Sequence, residues 1–119
     1  MSLGINQRRV EEVVVVELVG RLTLGPACDT LDQSLEDLLR AGRRSILLHC
    51  GGLSMVDSQG LKTLVRASAR VQEQGGQLKL CAIPARVQEV LEITRLLQVL
   101  ETFPSEAAAL ASFKPAGTA

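Results

Sequence analysis

The sequence predicts an α/β layer fold: one domain built on a mostly parallel sheet of four to five strands, with about four helices. Three observations point there. Short β-branched or alternating runs take turns with longer stretches whose apolar residues recur every three or four positions, and the order reads β-β-α-β-α-β-α-β-α. No internal repeat and no linker-like composition divides the chain. Its 119 residues suit a single core, large enough to bury about two thirds of the surface that the unfolded chain exposes.

Each element has its own signal. Leu3–Val10 is a first strand that can pair, across Glu11-Glu12, with the dense β-branched run Val13–Val19, bounded by Gly20. A loop from Arg21 to Pro26 leads into a helix with Leu31, Leu35, Leu38 and Leu39 on one stripe and Asp29, Asp32, Glu36 and Asp37 away from it. Pro26 suits its first turn and Gly42 its stop. Ser45–Cys50 is the next strand, closed by Gly51-Gly52. Leu61, Leu64, Val65, Ser68 and Val71 then fall on one helical face, with Lys62, Arg66, Arg70 and Glu73 on the other. Asp57 or Ser58 serves as N-cap, and Gly75-Gly76 ends the helix. Gln77–Ile83 alternates as a strand. Pro84 opens a third helix with Val87, Val90, Leu91 and Thr94 on its buried stripe, and Val99–Phe103 is a last short strand. Ser105 caps an alanine-rich helix through Phe113. The domain is expected over residues 1–113, with Lys114–Ala119 as a flexible C-terminal tail.

Composition removes most function classes. Thirteen Lys and Arg balance thirteen Asp and Glu, for a formal net charge of zero, whereas a nucleic-acid binder carries a clustered positive excess. Two phenylalanines and no Trp or Tyr give no stacking platform for single strands. The apolar runs are too short to span a membrane or to act as a signal peptide, so a cytoplasmic location without membrane insertion is expected. Cys28, Cys50 and Cys81 are odd in number and form no Cys-x-x-Cys pair, and His49 is the only histidine. No disulfide framework, metal site or Ser-His-Asp triad follows from that set. Neither a G-x-x-x-x-G-K-[ST] loop nor a G-x-G-x-x-G turn is present. A non-enzyme without catalytic residues, cofactor or metal is the expectation.

The informative stretch is Met55-Val56-Asp57-Ser58-Gln59-Gly60-Leu61, a hydroxyl and a carboxylate at a strand-to-helix junction. The first N–H groups of a helix lack internal partners and its dipole is positive there, so an added anion is accommodated. A phosphate on Ser58 would bring nearly two negative charges. The same residues also read as an ordinary helix cap. Lys62, Arg66 and Arg70 read either as a solvated face or as a rim that meets an acidic partner surface. His49 and Cys50 read as edge-of-core packing, Cys28 and Cys81 as core or loop thiols, and Arg43-Arg44 as a solvated turn.

From about Leu3 to Phe113 the chain resembles the STAS domain family, and within it the small bacterial anti-sigma factor antagonists. The resemblance is carried by Gly20 at the second strand and by Asp57-Ser58-x-Gly60-Leu61. Gly75-Gly76-x-Leu78-x-Leu80 and the run Val87…Leu91…Thr94-x-Leu96 complete it. It implies a STAS-like domain whose Ser58 is phosphorylated by a cognate anti-sigma factor, a serine kinase with a GHKL-type ATP-binding fold. A metal-dependent serine phosphatase reverses the modification. Partner switching follows: the unphosphorylated antagonist holds the anti-sigma factor and frees sigma, and the phosphorylated form lets go. Thr23, Asp57, Ser58, Gln59, Gly60, Lys62 and Arg66 are the partner-binding candidates this implies. Three positions depart from the family's pattern. Thr23 stands where an acid is frequent, Gln59 where Ser or Thr is common, and Arg95 where the usual Thr-Gly-Leu has glycine. The first two lean toward a second reading: a non-switching STAS adaptor in a stressosome-like complex or beside a lipid-transport ATPase.

Overall fold

A computed structural model describes residues 3–113; the expected tail, 114–119, lies outside the described residues. The first hairpin forms as its sequence suggests. Strand β1 (Gly4–Val10) runs antiparallel to β2 (Val13–Leu22), turning at Glu11-Glu12. From there the chain alternates: α1 (Pro26–Arg40), β3 (Ser45–Val56), α2 (Ser58–Glu73), β4 (Gln77–Cys81), α3 (Ala85–Ile93), a 3-10 turn at Leu96–Gln98, β5 (Glu101–Phe103) and α4 (Glu106–Ser112). The sheet order is β1-β2-β3-β4-β5, with every pair after the hairpin parallel. This is the predicted α/β architecture with five strands and four α-helices.

The period-two alternation of the strands divides the core between two faces. Val14, Val16 and Leu18 of β2, Ile46 and Leu48 of β3, and Leu78 and Leu80 of β4 meet Leu31, Leu35, Leu64, Val71, Val87 and Leu91 on the three larger helices. Val13, Val15, Leu47 and Cys81 point the other way, onto Ala109 and Phe113 around the short α4. All four leucines predicted for the α1 stripe are buried, as are Leu61, Leu64, Ser68 and Val71 of α2. Among the described residues no helix is long and apolar enough to cross a membrane.

Several boundaries differ from the sequence reading, for physical reasons. β3 does not stop at Gly51-Gly52 but continues to Val56, and β2 passes Gly20 to reach Leu22. The two strands stay paired through register shifts after Glu17 and Gly20. A Cβ on Gly52 would stand 2.9 Å from the Leu18 carbonyl oxygen, so this glycine serves close strand approach and not chain reversal. β4 ends at Cys81 and not Ile83 because Ala82 turns to φ +56°, its N–H bonding to Phe103. Thr94 is exposed and caps the end of α3; its hydroxyl donates to the Val90 carbonyl at 2.7 Å instead of joining the buried stripe. The last strand starts at Glu101, since the 3-10 turn takes up the residues before it, and Phe113 caps α4 from outside.

Candidate functional site

The site forms where β3 ends and α2 begins. Asp57 is the N-cap in an extended conformation, and its Oδ1 accepts the Gly60 N–H at 2.8 Å. Its other oxygen, Oδ2, accepts the Leu24 N–H at 2.9 Å, tying the loop after β2 to the start of α2. These backbone donors, Leu24 first and Gly60 second, hold the Asp57 carboxyl below its ordinary value. Both oxygens of the carboxylate are therefore committed to positioning backbone.

Ser58 follows as the first residue of α2 and is exposed. No acidic residue follows Ser58 in the helix's first turn, and the Asp57 carboxylate at the N-cap takes up part of the helix's positive end through the Gly60 N–H. Gly60 is buried against the end of β2: a Cβ there would overlap the Leu22 carbonyl oxygen and come within 2.9 Å of Val56 Cγ1. The Asp57 N–H donates to that same Leu22 oxygen at 3.3 Å. Glycine thus lets α2 start hard against the sheet, which fixes where Ser58 points.

An open groove of about 420 Å³ runs from Ser58 between α2 and the turn after α3. Leu61, Val65 and Leu96 give it an apolar floor, with Lys62, Arg66 and Thr94 along its sides. Five of the seven candidate residues thus have distinct parts here: Asp57 clamps, Ser58 faces solvent, Lys62 and Arg66 flank the groove, and Gly60 sets the helix approach. Gln59 is half-buried, its carbonyl engaged by the Thr63 hydroxyl at 2.9 Å. Thr23 is also half-buried, and its carbonyl accepts from the Cys28 thiol.

Arg66 and Arg70 do not form the free basic rim the sequence allowed. Arg66 pairs with Asp32 at 2.9 Å, and Arg70 with Glu36 at 2.8 Å, so both staple α2 to α1. Sequence reasoning passed over Leu24, which is 72% exposed although Asp57 holds its backbone. Its signal was an isolated leucine in a loop beside Gly25. Met55, also exposed, is touched by Arg21, and His49 approaches Glu106 at 4.0 Å on the opposite face of the sheet. Among the described residues no group of three or more His, Cys, Asp or Glu side chains could hold a metal ion.

Comparison with known proteins agrees with this architecture. The family profile described as STAS domain matches residues 5–109. The chain belongs to the STAS domain family. This STAS domain is similar to BtrV of Bordetella bronchiseptica, a candidate anti-sigma factor antagonist, with 31% identity over 114 residues covering 96% of this chain and 97% of BtrV. Its fold is similar to that of a candidate anti-sigma factor antagonist from Thermotoga maritima, with a TM-score of 0.83 at 20% identity, over 90% of this chain and 92% of the other. It is also similar to the Bacillus cell fate determinant SpoIIAA in its phosphorylated form, with a TM-score of 0.69 at 18% identity, over 92% of this chain and all of that one.

Proposed function

We propose that this STAS domain is a non-catalytic anti-sigma factor antagonist of the cytoplasm. It binds a cognate anti-sigma factor, a serine kinase of the GHKL type, and so releases the sigma factor. Transfer of a phosphoryl group from the kinase's ATP to the Ser58 hydroxyl ends the binding, and a metal-dependent serine phosphatase restores it. The observation that carries this reading is the exposed Ser58 at the first position of α2, at the mouth of an apolar groove. The near-full-length likeness to BtrV supports the class of partner.

The physics of the junction suits a reversible switch. A phosphate here meets a helix N-terminus that stabilises an anion, so the domain stays folded when modified. Against a partner the same charge lands in a desolvated contact, where an unpaired charge costs about 3–4 kcal/mol, a several-hundred-fold loss of affinity. Binding of the purified anti-sigma factor to Ser58→Ala and Ser58→Asp tests the reading. Retention by the alanine variant and loss by the aspartate variant is the expected result. Equal binding by both would replace the switch with the fixed-adaptor reading that Thr23 and Gln59 favour, in which Ser58 only begins a helix.

A further inference from the structure

Ser58, Lys62 and Arg66 recur at every fourth residue of α2, and all three line the same groove. Residues so spaced stand one turn apart on one face, their Cβ atoms about 5–6 Å from each other. The two cations differ in commitment. The Arg66 guanidinium donates to the Asp32 carboxylate at 2.9 Å. Lys62 is exposed and, among the described residues, makes neither an ion pair nor a side-chain hydrogen bond. The nearest acid in sequence, Asp57, precedes the helix and is occupied by the backbone N–H groups of Leu24 and Gly60. Lys62 is therefore the cation of this groove that no carboxylate holds, one turn from the candidate modification site.

We propose that Lys62 is the built-in counter-charge of a phosphate on Ser58. This inference rests on the reading of Ser58 as the modified residue. The ammonium swings one turn toward the helix start and pairs with the phosphate oxygens. Modification then does two things at once: it adds an anion at the mouth of the groove and withdraws the uncommitted cation from its side. A partner carboxylate that meets Lys62 in the unmodified chain loses that contact when the phosphate arrives. Arg66, already held by Asp32, keeps its place and continues to bind α1 to α2.

The test needs no partner. The chain is made with phosphoserine incorporated at position 58, in the native background and with Lys62→Gln or Arg66→Gln, and the phosphate is titrated through its second ionisation by phosphorus NMR. That ionisation ordinarily falls near pH 6. In the native background it should come about half a pH unit lower than with Lys62→Gln, the size expected of an exposed pair, and the difference should shrink in high salt. Arg66→Gln should titrate like the native background. Circular dichroism checks that each variant is folded, and Asp57 contributes equally to all three. Coincident native and Lys62→Gln curves, or a displacement carried by Arg66→Gln instead, would overturn the assignment. Because the phosphate is installed synthetically, failure of the anti-sigma reading and failure of this pairing are separate results.

Discussion

Gly60→Ala sets two effects of opposite sign against each other. Intrinsic helix propensity favours alanine over glycine by about 1 kcal/mol, so a helix considered alone gains. In the folded chain the new methyl overlaps the Leu22 carbonyl oxygen and stands 2.9 Å from Val56 Cγ1 and 3.1 Å from the Leu22 carbonyl carbon. Two of these three atoms are backbone of β2 where it pairs with Val56 of β3, and they cannot rotate away as a side chain could. The start of α2 must instead retreat by roughly 1 Å to restore van der Waals separation. Such overpacking costs about 1–3 kcal/mol and more where the neighbour is rigid. After the propensity gain, a net loss of about 2 kcal/mol remains. With a urea m-value of about 1.5 kcal/mol/M for a domain of this size, the midpoint falls by about 1.3 M at unchanged slope. Gly4→Ala is the control, since its methyl meets Val19 at 3.6 and 3.9 Å, ordinary contact, and should stay within about 0.5 kcal/mol. The retreat also carries Ser58 with it, so Gly60→Ala should bind the anti-sigma factor less well although the serine is intact. A Gly60→Ala protein as stable as the parent, or more so, would show that propensity wins and refute the argument.

Other expectations follow from the remaining contacts. Asp57 and Glu106 both titrate below their ordinary values, the first through the backbone N–H of Leu24, the second through hydrogen bonding from Arg8. Carboxyls depressed in this way stabilise the fold above their unfolded values and lose that contribution as pH falls through the folded ones. Urea midpoints should therefore hold down to about pH 5 and drop below about pH 4, and Asp57→Asn or Glu106→Gln should flatten the drop. Lys79 is 4% exposed; its ammonium donates to the Ser112 carbonyl at 3.1 Å and lies over Phe113 and Phe103, 4.7 and 5.5 Å from their ring centres. Lys79→Ala should cost about 2–3 kcal/mol and strip hydrogen-exchange protection from α4 before the rest of the fold. Burial pushes the Cys50 thiol up to about 12 and Cys81 up to about 11, so neither should react with an aromatic disulfide reagent at pH 8 until urea unfolds the chain. Arg95 sits at φ +62°, where glycine is at ease, and Arg95→Gly should raise stability by about 0.5 kcal/mol in thermal melts.

Most of the architecture was legible because each strand and helix carries its own periodic signal. The stripe Leu31, Leu35, Leu38, Leu39 needs no knowledge of what it packs against, and the β-branched run of β2 needs no partner to declare itself. What escaped depends on residues distant in sequence. Gly51-Gly52 has the composition of a turn, yet Gly52 answers to the carbonyl of Leu18 across the β2–β3 pair. Arg66 looked free because its partner, Asp32, lies on another helix. At the candidate site the junction residues Asp57, Ser58 and Gly60 stood out locally. The second bond of Asp57, to Leu24, did not, because a loop 33 residues earlier supplies its donor.

The left-to-right order of the strands matches their order in the chain, and this bears on how the domain is made. As synthesis proceeds, each new strand finds its neighbour already exposed, so no edge must wait for a segment still to come. Closure distances stay near one crossover throughout, which favours rapid, stepwise growth of the sheet. By the time α2 has emerged, β1, β2, α1 and β3 are all available, and with them both partners of Asp57. The junction of Asp57, Ser58 and Gly60 can thus take shape while nearly forty percent of the chain is still to follow. What comes afterward, β4 through α4, covers the open side of that early layer and supplies Thr94 and Leu96, which complete the lining of the groove.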